Sequence, residues 1–462
     1  MLCCDWLRRG SFVFFVSLGL LVNVAPAQEK NTELLRMVLE LLHNKDNDMR
    51  SVGLEQVRSD AKGAEATKQF ASQLSKLTPP AQVGLLRALG SRGDVAAKPD
   101  VLSLFKSSND ESVRVAAIGA LGDLGDATEL PLLLKMLSVD SNELQMAAKK
   151  SLSRLRGSTV NATVISEMKN GNSAGRVSMI EVLVSRRALD SMPQIVTAAV
   201  DQDSKVRRAA MSAIAALGDL SHVPAMLQGV LKAEKGAERD AAEKALVSVC
   251  SRKTKPELRA EPVLAARSKL DDASQLDLLS TVARVGGAKA LEAVEAALAS
   301  TNPSQHESGL QAFCKWPDAG ITDKLVKLIE NTTNSNERSM EFKALVRLAS
   351  IREKRNDQER LSRLKQAMLL AKSSDEQALV IDKCRSAYSV DTLRYVLPYL
   401  DQPAFSEITC ETIVELAHHR EVREPNKAEF DKVLDRVLQI SKDAIVKDRA
   451  QRYKNGQTWQ RP

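Results

Sequence analysis

A series of residues returns after 93 positions, and that return limits the fold more than any other feature of the chain. Asp110, Val113, Arg114, Ala116, Ala117, Ala120, Leu121, Leu124, Gly125, Asp126 and Pro131 recur in order as Asp203, Val206, Arg207, Ala209, Ala210, Ala213, Ile214, Leu217, Gly218, Asp219 and Pro224. Ninety-three is three steps of 31, and two degenerate copies fill the interval. Leu144, Ala147, Ala148, Leu152 and Leu155 form one; Arg176, Met179, Leu183 and Pro193 form the other. A unit this short cannot enclose a core of its own. It must bury its apolar face against its neighbours, which makes the array a solenoid.

Each unit reads as two antiparallel helices. Asp110 is placed to cap a helix that runs to about Leu124, with Val113, Ala116, Ala117, Ala120, Leu121 and Leu124 on one face at helical spacing. Gly125 is expected to end it in the left-handed conformation. Pro131 then falls near the start of the second helix, where its missing N–H costs little. Leu130, Leu133, Leu134 and Leu137 give that helix its apolar stripe. Alanine pairs at Ala116-Ala117, Ala147-Ala148, Ala209-Ala210 and Ala241-Ala242 let adjacent units approach closely. A large side chain there is expected to overpack the seam at about 1–3 kcal/mol.

The period extends outwards with drift. Asp46, Arg50, Val52 and Val57 mark an earlier copy, and Leu85, Leu89, Gly93, Asp94 and Pro99 mark the next. Arg239, Ala241, Ala242, Ala245 and Leu246 continue the series after Arg207. Looser units follow at 278–285, 306–316, 338–348, 377–384 and 409–417, for about twelve in all, with 347–366 carrying a longer helix or an insertion. The expected caps are 31–43 and 427–441. Beyond them 442–462, with six Lys or Arg against two Asp, reads as a helix fraying into a basic, partly disordered tail.

The order Asp-x-x-Val-Arg-x-x-Ala-Ala-x-x-Ala-Leu, then Leu-Gly-Asp and Pro-x-Leu, resembles HEAT repeats, and more narrowly the short HEAT-like repeats first associated with phycobilisome lyases. The motif is well kept at 110–137 and 203–230 and partly kept at 46–57 and 238–249. The resemblance implies an all-α fold, a right-handed superhelical α-solenoid of about twelve helix pairs. It also implies that Asp46, Arg50, Asp110, Arg114, Asp203 and Arg207 help tie neighbouring units together. Asn172 replaces the Asp and Gln145 the Arg in the intervening copies, which interrupts such a ladder. The lyase activity does not follow, because a repeat says nothing about a reaction.

Residues 1–27 read as a cleaved export signal: Arg8-Arg9, an apolar run over 12–24 and the small-x-small site Ala25-Pro26-Ala27 before Gln28. The run is too short for a usual membrane span, and no other reaches 18 residues. Leu7 stands where a twin-arginine signal favours Ser or Thr, and the export route is left open. The remainder, 28–441, reads as one uninterrupted array with no linker, in the periplasm, cell envelope or medium. Net charge is +7, and loss of Arg8, Arg9 and Asp5 leaves +6. Both signs are interspersed, unlike the basic face of a nucleic-acid binder. Four of the sixteen aromatics leave with the signal, too few remaining for stacking platforms. Cys250, Cys314, Cys384 and Cys410 each fall in a different predicted helix. Helices packed 8–10 Å apart suit buried thiols better than bridges, whose Cα atoms must lie within about 7 Å.

Candidate chemistry is thin. Gly171-Asn172-Ser173-Ala174-Gly175 matches a nucleophile elbow literally but falls in an inter-helix loop rather than at a strand-to-helix turn. Ser103-Leu104-Phe105-Lys106 fits S-x-x-K within a predicted core helix. Glu411, Glu415, His418 and His419 share ligand-like helical spacing, and a metal-assisted hydrolase is one reading of them; a polar helix end with its histidines near the negative dipole is the plainer one. No P-loop, dinucleotide fingerprint, C-x-x-C-H or H-E-x-x-H occurs, so no catalytic residue, cofactor or metal is assigned.

A surface remains. Positions equivalent to Gly119 on each first helix should face away from the core: Glu55, Arg87, Lys150, Glu181, Ser212 and Lys244, with Lys149 and Arg208 nearby. If these helices line the concave side, Arg87, Lys149, Lys150, Glu181, Arg208 and Lys244 form a mixed, basic-leaning binding stripe for an acidic protein or surface polymer. The expectation is an exported, non-enzymatic scaffold for a protein partner, with no nucleic acid and no membrane span. The alternative is an accessory or regulatory subunit of an envelope enzyme acting on polysaccharide or peptidoglycan.

Overall fold

Nine first helices begin at a side chain that accepts hydrogen bonds from its own first turn. Asp46, Asp110, Asp203 and Asp271 do so with carboxylates, Ser141 and Ser373 with hydroxyls, and Asn172, Asn302 and Asn334 with amide oxygens. Each satisfies a backbone N–H that the helix leaves orphaned. The computed structural model describes residues 25–60, 62–157, 159–252, 255–352 and 356–459. Among them every regular element is helical. Twelve helix pairs succeed one another from Asn47–Ser59 to Lys427–Ile440, flanked by Ala25–Leu42 and Ala444–Lys454. The signal expected at 1–27 lies largely outside the described residues.

The helices fall into two compact units, Met1–Ser191 and Met192–Pro462. In the first, Asn47–Ser59, Pro79–Arg92, Glu111–Leu124 and Asn142–Arg154 each pack on the next, with second helices such as Lys98–Ser107 on the other side. The second unit repeats the scheme from Ser204–Leu217 and Ala237–Ser251 to Ser374–Cys384 and Ser406–His418. Contacts therefore run from pair to adjacent pair within each unit, as a solenoid requires.

Close approach is set by small residues. A Cβ on Gly90 would lie 3.2 Å from Ala120 Cα, and one on Gly122 would lie 2.6 Å from Ser151 Cα, so these helices touch backbone to backbone. The Ser151 hydroxyl uses that proximity to donate to the Ile118 carbonyl at 2.8 Å. Gly125 ends its helix differently from expectation. Its φ is −85°, and Gly218 likewise has −79°, so neither is left-handed. Glycine is required there for space, because a Cβ would strike the Leu121 or Ile214 carbonyl. Gly93, at φ +71°, does take the left-handed form.

The Asp and Arg ladder implied by the resemblance needs correcting. Asp46, Asp110 and Asp203 cap their own helices, and Arg50 donates to the Asn44 and Lys45 carbonyls of its own loop. Arg114 lies over the Phe105 ring of the preceding pair, and of these arginines Arg207 forms ion pairs forwards, with Glu238 and, at 3.8 Å, with Glu234. A different set of arginines ties neighbours. From the end of one first helix, each donates to the terminal carbonyls of the previous one: Arg92 to Val57 and Asp60 (2.7 and 2.8 Å), Arg186 to Leu152 and Leu155 (3.0 and 2.8 Å), Arg252 to Gly218 (3.1 Å), and Arg347 to Trp316 (2.7 Å). A cation at that end also meets the negative pole of the helix dipole.

Segment 442–462, read as a tail, is described as far as Trp459. Its helix Ala444–Lys454 packs on Ser406–His418 and Lys427–Ile440, with Tyr453 buried. The four cysteines are free and buried in first helices of four different pairs. Burial pushes the Cys250 thiol to about 11 and the other three to about 12, so they serve as small apolar side chains. Among the described residues no helix is long and apolar enough to cross a membrane.

Candidate binding cleft

The six stripe residues divide between the units. In the first, Arg87, Lys150 and Glu181 are exposed, and Lys149 is spent on an ion pair with Glu181. Gly119 opens on empty space, since a Cβ there would meet nothing within 4 Å. In the second, Arg208, Ser212 and Lys244 are exposed. The structure thus sets Arg87 and Lys150 apart as unpaired cations among the described residues, and it brings Arg208 and Lys244 to one place.

That place is a cleft of about 400 Å³ between Ser204–Leu217 and Ala237–Ser251. Its walls are Met211, Ala215, Ala241, Ala242 and Ala245, with Gly229 and Ala233 of the second-helix layer also lining it. Ala215 occupies the position of Gly122, one 93-residue step on, so a methyl lines the cleft where the first unit's helices meet backbone to backbone. Gly229 admits Met211, whose sulfur would lie 2.6 Å from an added Cβ.

Arg207 and Glu238 also line the cleft, and they satisfy each other. Arg207 Nε and Nη2 donate to the two Glu238 oxygens at 2.8 and 2.9 Å, while Nη1 donates to the Asp201 and Gln202 carbonyls. Both side chains are buried. Burial alone would raise the Glu238 carboxyl, but the hydrogen bonds from Arg207 and the Glu234 N–H outweigh it and hold it below its ordinary value. The forked pairing in turn raises Arg207. With that pair neutral, Arg208 and Lys244 leave the rim cationic.

A family model for HEAT repeats matches residues 67–153, within the first unit's closely packed helix pairs. That segment consists of HEAT repeats. Crystal structures of Kap121p resemble the array at 13% identity over 92% of this chain and 56% of that one, with a TM-score of 0.45. A Kap95p structure solved with RanGDP gives 11% identity over 88% and 63%, with a TM-score of 0.39. A homology model of the AP-3 complex gives 11% over 93% and 87%, with a TM-score of 0.37. The HEAT-repeat chain spans little more than half the length of Kap121p. No curated protein matches it in sequence.

The chemical motifs dissolve into repeat architecture. Asn172 of the elbow-like sequence caps Ser173–Ser185, accepting from the Gly175 N–H at 2.9 Å. Ser103 and Lys106 are exposed on Lys98–Ser107, whose Leu104 and Phe105 are buried. Glu411, Glu415, His418 and His419 are parted by separate partners. Glu411 pairs with Arg385 at 3.3 Å and Glu415 with Arg449 at 2.7 Å, while His418 Nδ1 meets the Tyr453 hydroxyl at 2.9 Å. His419 stacks on Tyr388, with centroids 3.5 Å apart, and burial lowers its pKa first, the neighbouring His418 next. Among the described residues no three His, Cys, Asp or Glu converge on a metal position.

Sequence reasoning missed the carbonyl-binding arginines, though a signal for most of them exists. Ser-Arg ends the first helices at 91–92, 153–154, 185–186 and 251–252, and these steps of 62, 32 and 66 are close to two, one and two repeats. Arg154 follows the pattern, donating to Asp123 at 2.6 Å and the Gly119 carbonyl at 2.9 Å.

Proposed function

We propose that this HEAT-repeat chain is an exported, non-enzymatic scaffold that binds a protein partner on the exposed face of its first helices. The observation that carries the reading is the cleft with a neutral interior and a cationic rim on that face. Backbone contact at Gly90 and Gly122 supports it, because drawing first helices together is what the inner side of a curved stack requires. Export rests on the signal-like residues 1–27.

Two measurements test the proposal. Wild-type protein coupled to a resin is expected to retain a partner from an envelope extract, and Arg87→Glu, Lys150→Glu and Lys244→Glu together should release it while leaving helical circular dichroism unchanged. Equal retention by the triple variant would remove the first-helix face as the binding surface. The N-terminus of the accumulated protein should be Gln28, outside the cytoplasm; an intact Met1 in the cytoplasm would overturn export.

A further inference from the structure

We infer that the cleft between Ser204–Leu217 and Ala237–Ser251 receives an acidic peptide segment, one large apolar side chain entering the alanine-lined trough and flanking carboxylates meeting Arg208 and Lys244. The inference rests on the scaffold reading and gives the partner a chemistry.

The interior selects for an apolar guest. Met211, Ala242, Gly229 and Ala233 are buried, and Ala215, Ala241 and Ala245 are half-buried. The one charged pair inside, Arg207 with Glu238, already spends its oxygens and guanidinium nitrogens on one another, on backbone groups and, at 3.8 Å, on Glu234. A polar guest would lose water and find little in return. The size points the same way. About 400 Å³ lies at the small end of ligand pockets, roughly 300–1,000 Å³, and suits a side chain rather than a folded surface.

The rim selects for charge. Arg208 on one helix and Lys244 on the other are exposed and line the cleft, and the Arg208 charge helps to hold Glu238 ionised. Like charges on opposite lips of a low-dielectric trough repel when it is empty, and an anionic guest relieves that repulsion. A bare phosphate or a lipid headgroup would use the rim and leave the apolar trough idle. A neutral apolar peptide would do the reverse. A segment that combines both features uses the whole site.

Three fluorescein-labelled dodecapeptides provide the probe: phenylalanine flanked by two aspartates on each side, the same with alanine for phenylalanine, and the same with lysines for the aspartates. Fluorescence anisotropy with the full mature chain at low salt is expected to rank the first at least ten-fold tighter than either control. Arg208→Glu with Lys244→Glu should cost it ten-fold or more, and Ala241→Leu, which fills the trough, should abolish binding at unchanged helical content. Lys232→Glu, on the second-helix layer outside the cleft, should have little effect. Equal binding of acidic and basic peptides, or binding unaffected by Ala241→Leu, would overturn the assignment. If Ala241→Leu leaves capture of the whole partner intact while Arg87→Glu with Lys150→Glu removes it, the cleft assignment falls and the scaffold reading stands. If neither variant alters capture, both fall.

Discussion

Two buried acids on first helices have opposite fates, and the difference lies in their partners. Glu238 meets a forked guanidinium and is held ionised. Glu341 is 1% exposed, accepts one hydrogen bond from Thr332 Oγ1 at 3.0 Å, and leaves Oε2 without a partner. Burial, and then the charge of Glu337, raise its pKa above the ordinary 4.5. At pH below 4.5 the folded and unfolded chains both hold that proton and nothing is lost. As pH climbs from 4.5 through the folded value, the unfolded chain releases the proton more readily and stability falls. Glu341→Gln keeps an acceptor for Thr332 and removes this penalty. Its stability relative to wild type should therefore improve as pH rises from 4 to 7 in urea titrations; a relative stability that falls over that range would contradict the account. Glu238→Ala should do the opposite, costing about 3–5 kcal/mol because it strands Arg207 beside the cleft. Both effects depend on burial, which the one-dimensional pattern does not give. Glu341 reads in sequence as one more solvated charge.

At the scale of the helix pair, spacing is governed by single atoms. Gly122 lets Glu111–Leu124 lie against Asn142–Arg154, and Gly122→Val should force them apart at about 1–3 kcal/mol, measured as a lower urea midpoint by circular dichroism. Arg186→Met should cost about 1–2 kcal/mol by leaving the Leu152 and Leu155 carbonyls without their donor; no change would mean that water serves equally well. Much of this level was legible. The Asp110 and Asp203 caps, the apolar faces and the proline-started second helices follow from short-range rules that act wherever the residues occur. The exposed positions Arg87, Lys150, Arg208 and Lys244 followed from helical period alone. The cleft did not, because whether two facing helices close or leave space between them depends on how their side chains meet, which the period of one helix does not give. The assigned ladder failed for a related reason: an Asp before a helix serves its own N-terminus before it can serve a neighbour. The Ser-Arg endings carried the inter-unit tie instead, and they sit outside the motif that drew attention.

Across the molecule, an array whose main packing runs from each described pair to the next within a unit distributes its stability locally. The period announced that property from 110–137 and 203–230, and along the array the helices gather into two compact units, Met1–Ser191 and Met192–Pro462. No linker composition marks that join, since the fifth pair keeps its repeat pattern through Met179, Leu183 and Pro193. The division has a measurable consequence. Trp316 and Trp459, the tryptophans among the described residues, both belong to the second unit, and Trp316 is buried. Indole fluorescence therefore follows 192–462, while far-ultraviolet circular dichroism follows helices of both units. If stability is local, Gly122→Val should lower the midpoint seen by circular dichroism and leave the fluorescence midpoint in place, and Glu238→Ala should lower the fluorescence midpoint. A fluorescence midpoint that falls in step with circular dichroism for Gly122→Val would mean that the two units unfold as one cooperative body.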